Sequence, residues 1–207
     1  MTCPHATGAA GHRQAGDGKE ARRTRLFIGT SLAGTALAPA VAAYQGQLRR
    51  AGWEATWVAE TAVHLTYLFL GDWPAEWARR LATALEAVAA LPAVSWHLDQ
   101  SGTFGPPQAP RAIWVGSRTV PRPLARIQAE TLAAARAVGF EAESNPWRPH
   151  VTVARPRRGP SGPLPPWRPV TVAITQVALV HSTLTPSGPI YRPLHTVALR
   201  REATQRP

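Results

Sequence analysis

A chain of 207 residues is long enough to bury a core, and it fits one domain or two small lobes sharing an interface. Its lone cysteine, Cys3, excludes a disulfide framework within a monomer and fits a reducing, cytoplasmic compartment. The formal charge is +11, and no stretch approaches the roughly 18 consecutive apolar residues of a membrane helix.

Of the 23 basic residues all but Lys19 are arginine. Alanine, proline and glycine are also abundant, so a GC-rich coding sequence accounts for part of the bias. The distribution says more. From Asn145 to Pro207 there are nine arginines and a single acid, Glu202. Such a surface attracts a polyanion; a solvated, codon-biased surface is the alternative, and both stay open.

Residues 1–24 are rich in Gly, Ala and charge, with no apolar segment of a secretory signal. They read as a disordered extension ahead of a domain over 25–201, with 202–207 as a tail. Leu26 to Leu32 reads as a strand. Leu37, Val41, Tyr44 and Leu48 then recur at helical spacing within Thr35–Ala51, and Gly52 is placed to stop that helix. Trp53–Val58 is a short strand, and Val63–Leu70 a second one. Asp72 and Pro74 look like a helix start, with Trp77, Leu81, Leu85 and Val88 continuing it as far as Pro92. Val94–Gln100 reads as a strand, 105–110 as a loop, and Ala112–Ser117 as a strand. A helix over Arg122–Val138 is capped by Gly139. His150–Arg155 is a strand, and 157–169, with five prolines and two glycines, an irregular loop. Val170–His181 and Tyr191–Leu199 read as a closing hairpin. Mixed order with hairpin connections argues for an α+β fold with antiparallel sheets.

One pattern occurs twice in this order: His64-Leu65-Thr66 and His150-Val151-Thr152. In a strand, residues i and i+2 share a face, so each copy sets an imidazole beside a hydroxyl. Two such strands facing one another offer two imidazoles and two hydroxyls to one ligand. That suits proton transfer at a phosphate, one group taking a proton and the other giving one. The alternative is two strand histidines whose second nitrogens are satisfied locally. Arg155 follows His150 by five residues, so a regular strand would turn it to the opposite face. Only a bend or bulge near Ala154 would bring it to the same anion. His181 opens the last hairpin and borders a possible cleft. Phe104 follows Ser101-Gly102-Thr103 and could stack on a base or pack as a core aromatic; Tyr191 is similar. There is no HExxH, CxxC, GxxxxGK[ST], GxGxxG or GxSxG, so metal-independent, cofactor-free chemistry is expected.

The flanks, Val63-His64-Leu65-Thr66-Tyr67-Leu68-Phe69-Leu70-Gly71 and Arg148-Pro149-His150-Val151-Thr152-Val153-Ala154-Arg155, resemble the two signatures of the 2H phosphoesterase superfamily. Within it they are most similar to the RNA 2′,3′-cyclic phosphodiesterases, also called 2′-5′ RNA ligases. Arg25-Leu26-Phe27-Ile28-Gly29, Ala112–Gly116 and 181–191 extend the resemblance over about residues 25–200. Tyr67 and Val153 replace the usual leucines, and Leu68 stands where the family often has a basic residue.

The resemblance implies two pseudo-symmetric lobes, each an antiparallel sheet with helices on its outer face, and an active site in the cleft between them. It implies hydrolysis of RNA 2′,3′-cyclic phosphate ends to 2′-phosphates, with weak reverse 2′-5′ joining. His64 and His150 would be acid and base in unassigned order. Thr66, Thr152 and Arg155 would bind the phosphate, with Phe104 and His181 as further contacts. A monomer acting on RNA, without cofactor or membrane, is expected. The rivals are the same chemistry on a small nucleotide or a 2′-5′ oligonucleotide, and a non-catalytic RNA- or nucleotide-binding module.

Overall fold

The computed structural model describes residues 23–74, 76–141, 146–158, 162–185 and 188–201. Of the expected extension 1–24, Arg23 and Thr24 are described, and both sit in the first strand; the rest of it and the tail 202–207 lie outside the described residues.

The described elements run β1 (Arg23–Ser31), α1 (Leu37–Arg50), β2 (Ala55–Trp57), β3 (His64–Pro74), α2 (Trp77–Leu85), β4 (Val94–Leu98), β5 (Gln100–Phe104), β6 (Ala112–Gly116), α3 (Arg122–Ala137), β7 (His150–Pro156), β8 (Val170–Ile174), β9 (Gln176–Thr185) and β10 (Gly188–Ala198). They form two four-stranded sheets, β10-β9-β1-β3 and β2-β7-β6-β5, and a separate β4-β8 pair. Every strand pair in them is antiparallel. The fold is α+β, with one His-x-Thr strand in each large sheet and those strands, β3 and β7, packed against one another.

The two lobes are not the two halves of the chain. The first sheet takes β1 and β3 from the N-terminal half and closes with β9 and β10 from the C-terminus. β2, from the N-terminal half, pairs with β7 in the second sheet. Helix α1 packs on the second sheet's β7, while α2 and α3 cover β3 of the first. Each lobe therefore draws strands from both halves of the chain.

The apolar stripe of α1 is buried as its spacing requires, through Leu37, Val41, Tyr44 and Leu48. Trp53 N–H then bonds the Leu48 carbonyl at 3.0 Å across Gly52 at φ 83°. Phe140 and Ala135 repeat that closure at 3.0 Å across Gly139 at φ 92°. Both are left-handed glycine stops of the kind the sequence indicates. One buried cluster runs from Leu26, Ile28, Leu65 and Tyr67 of the first sheet to Val151 and Val153 of the second. The opposite face of the first sheet carries a separate small patch of Phe27, Ala178 and Val180, with Tyr191 against it.

Three expectations need correction. Asp72 and Pro74 do not start a helix: β3 continues through Pro74, opposite Arg25 to Arg23, and α2 begins at Trp77. β3 is an edge strand, where the missing N–H of a proline is tolerated. The run from Val94 to Gln100 is not one strand: β4 ends at Leu98, and Gln100 opens β5, which continues to Phe104. Val170–His181 is likewise two strands, with β8 pairing β4 while β9 forms the hairpin with β10. In both places a single residue, Asp99 or Thr175, separates the two strands, and the chain changes sheet there.

Candidate active site

The two motif strands are built alike. On β3, His64 lies opposite Ser31 and Thr66 opposite Gly29 of β1. On β7, His150 lies opposite Gly116 and Thr152 opposite Trp114 of β6. Each strand then holds one extra residue immediately after its threonine. Leu68 is the next to pair with β1, leaving Tyr67 without an opposite; Ala154 is the next to pair with β6, leaving Val153 without one. Tyr67 and Val153 are buried in the core, as expected of the face opposite the histidines.

A bulge resets the alternation of the strand. On β7 Val153 and Ala154 are both buried, and Arg155 emerges exposed, with the parity of His150 and Thr152 restored. The bulge that Arg155 requires is thus present, one residue before Ala154. The counterpart of Arg155 on β3, three residues after its threonine, is Phe69, which is 48% exposed. Leu68 packs against the core beside Ile28, away from the imidazoles.

Each imidazole is held by the same bond. His64 Nδ1–H donates to the carbonyl of Ala62 at 2.7 Å, and His150 Nδ1–H to that of Arg148 at 2.8 Å. A carbonyl can only accept, so Nδ1 carries hydrogen in both rings. In each neutral ring Nε2 is left as the basic nitrogen.

Aromatic rings wall both imidazoles. Phe27 lies 5.2 Å from His64, and Tyr191 meets it edge-on at 4.7 Å. Phe104 meets His150 edge-on at 4.7 Å and stacks on Trp114 at 5.4 Å. The Arg148 guanidinium covers Trp114 at 4.4 Å. Two glycines make room for these rings. A Cβ on Gly29 would come 2.9 Å from the Phe27 ring, and one on Gly102 would come 2.5 Å from the Trp114 indole.

Burial pushes the His64 imidazole below its ordinary 6.5, against the pull of its Nδ1 bond; the charges of His150 and Arg155 press the same way. Burial also lowers His150, assisted by Arg148 and Arg155. The Tyr191 hydroxyl is raised by burial and drawn back by Arg155 and Arg25. Arg155 thus acts on both histidines and on Tyr191.

His64, Thr66, His150, Thr152, Arg155 and Phe104 are brought together. His181 is not: it pairs with Leu26, so it faces the side of the first sheet opposite Phe27 and His64. Arg157 and Arg158 turn to the β2 side, to Thr56 at 3.4 Å and Glu54 at 3.5 Å. Among the described residues no three His, Cys, Asp or Glu side chains are grouped so as to hold a metal ion. The sequence reading passed over Phe27, Arg148, Trp114 and Arg25. Strand alternation in Arg25-Leu26-Phe27-Ile28-Gly29 would have set Arg25 and Phe27 on the histidine face.

Two His-x-Thr strands, one on each large antiparallel sheet and tethered alike at Nδ1, form the candidate site. The family model of the 2′-5′ RNA ligase superfamily matches residues 35–184. An RNA 2′,3′-cyclic phosphodiesterase of Thermotoga maritima is 31% identical over 159 residues, covering 72% of this chain and 82% of its own. One from Geobacillus stearothermophilus is 34% identical over 139 residues, covering 67% of this chain and 44% of its own. The crystal structure of E. coli LigT complexed with 3′-AMP superposes with a TM-score of 0.71 at 25% identity, covering 86% of this chain and 98% of that one. The chain belongs to the 2′-5′ RNA ligase superfamily.

Proposed function

We propose that this protein hydrolyses RNA 2′,3′-cyclic phosphate ends to 2′-phosphates by paired histidine acid–base catalysis. The observation that carries this reading is the matched pair of Nδ1 tethers, which leaves Nε2 of each ring for proton transfer. One imidazole, neutral, takes a proton from water as the water oxygen bonds to phosphorus. The bond from phosphorus to the 3′ oxygen breaks, and the other imidazole, protonated, gives its proton to that oxygen. The products are a 2′-phosphate monoester and a free 3′ hydroxyl, and the two rings have exchanged protonation states.

Thr66 and Thr152 donate hydroxyls to the nonbridging oxygens, and the planar Arg155 guanidinium holds the phosphoryl charge. A ribose 5′ hydroxyl in place of water gives a 2′-5′ linkage by the same proton transfers, as the weaker reaction. The donor set around the histidines supports chemistry without a bound metal. The folded unit is residues 25–201 together with Arg23 and Thr24. It acts as a monomer in the cytoplasm, which size-exclusion chromatography and cell fractionation test. Among the described residues no helix is long and apolar enough to cross a membrane.

The test is turnover of a dinucleotide ending in a 2′,3′-cyclic phosphate, with the product's phosphate position read by phosphorus NMR. A 2′-phosphate is expected. A 3′-phosphate, or binding without turnover, contradicts the reading.

A further inference from the structure

The first sheet's cleft face carries a second cation that the two-histidine chemistry does not use. Along β1, residues of one parity, Leu26 and Ile28, enter the core. The other parity faces the cleft: Phe27 touches His64, and Gly29 lies opposite Thr66. Arg25 has the parity of Phe27 and sits two residues farther along the same face. Its guanidinium lies over the Phe69 ring at 4.9 Å from the centroid. Phe69 pairs with Phe27, so it too lies on the cleft face, and it is 48% exposed.

This pair completes the pseudo-symmetry of the site. After the bulge on β7 the chain presents Arg155; after the bulge on β3 it presents Phe69. On the first lobe the charge comes instead from the neighbouring strand, laid across that ring. A ring face fixes the guanidinium plane, and Asp72 stands opposite Arg25 in the strand register. Arg25 is also near enough to act on the Tyr191 hydroxyl, as Arg155 does from the other lobe. Tyr191 in turn lies against His64. Arg155 and Arg25 thus bear on Tyr191 from the two lobes, with His64 beside that ring.

Resting on the proposed reaction at the histidines, we infer that Arg25, held by Phe69, is the binding site for the phosphodiester on the 5′ side of the terminal nucleotide. Arg25 is thereby the residue that favours an oligonucleotide end over a cyclic mononucleotide. The class of ligand follows from the spacing. Two residues of strand, about 6–7 Å, separate Arg25 from Phe27 beside His64. The next anion of an RNA chain lies one nucleotide from the reacting phosphate, at a distance of that order. A free cyclic mononucleotide has no anion there.

The experiment compares two product ligands, a 2′-mononucleotide without a 5′ phosphate and a dinucleotide ending in a 2′-phosphate, by titration calorimetry. Turnover of the matching cyclic phosphates is measured in parallel. Wild-type protein is expected to prefer the dinucleotide, and Arg25→Ala to reduce that preference by about tenfold to a hundredfold, the range for a charge-assisted contact. Phe69→Leu should reduce it less, since the charge remains but its orientation is lost. Arg25→Lys should recover part of it. If the dinucleotide-to-mononucleotide affinity ratio is the same in wild type and Arg25→Ala, the inference is overturned. An equal loss for both ligands also overturns it, by assigning Arg25 to the reacting phosphate or to folding. Because affinity ratios do not depend on turnover, an inactive wild type would sink the proposed reaction while leaving this comparison decisive.

Discussion

Gln45 Nε2 donates to the carbonyl of Val153 at 2.9 Å, and to that of Val58 at 2.8 Å. Val153 is the extra residue of the β7 bulge, and the Val58 N–H shares its carbonyl at 3.2 Å. A bulge frees a backbone group from the ladder, and a buried one needs another partner. Gln45, a buried polar residue of α1, meets that need. The first motif has a matching device: Trp147 Nε1 donates to the Thr66 carbonyl, just before the bulge at Tyr67, at 3.0 Å. A helix side chain thus secures the backbone irregularity that brings Arg155 to the histidines.

Gln45→Leu should therefore destabilise the fold by about 1–3 kcal/mol, the range for losing buried hydrogen bonds. It should also lower kcat/KM beyond any unfolding, because Arg155 loses its aim. Denaturant melts and kinetics on the folded fraction check this. Full activity in the folded fraction would show that the bulge persists without Gln45.

Arg155→Ala has a spectroscopic signature separate from activity. Its charge presses both imidazoles below the ordinary value of 6.5, so its removal should raise both. NMR titration of the two rings reads this. On short and long cyclic phosphates alike, the variant should lose about tenfold or more, since the contact is to the reacting phosphate itself. Unmoved histidine titrations would place Arg155 away from the site.

The pH profile follows from the same shifts. The working state has one imidazole protonated and one neutral, so kcat/KM should be bell-shaped and report the free enzyme. Burial lowers both rings, so the maximum should lie on the acid side of 6.5 and activity should decline toward pH 8. A bound phosphate anion favours the protonated rings and should move the kcat profile to higher pH. Stability runs the other way: below 6.5 the unfolded chain takes up protons that the folded rings resist, so the fold weakens on acidification. A kcat/KM maximum above pH 8 would contradict these environments.

Turnover should survive EDTA, because the donor atoms around the cyclic phosphate are imidazole, hydroxyl and guanidinium. Loss of activity that Zn²⁺, Mg²⁺ or Mn²⁺ restores would contradict a metal-free site.

The chemistry was more legible in the sequence than the architecture was. Strand alternation alone places His64 with Thr66 and His150 with Thr152, and the parity of Arg155 demanded a bulge. The lobes were less legible, because β2 joins the second sheet and β9 the first through contacts distant in sequence. The aromatic walls were hidden for a related reason. Phe104 reaches His150, and Tyr191 reaches His64, only through pairing of strands far apart in the chain. His181 was misleading because register, not sequence distance, decides the face: opposite Leu26, it points away from the imidazoles.

The most direct test of the central claim is single-turnover kinetics of a cyclic-phosphate dinucleotide with His64→Ala, His150→Ala and the double variant. Each single change should cost at least about a hundredfold, the usual size of one proton-transfer contribution. The loss in the double variant should fall far short of the product of the two losses, because the histidines act as a unit. A folded single variant with near wild-type turnover would contradict the two-histidine mechanism.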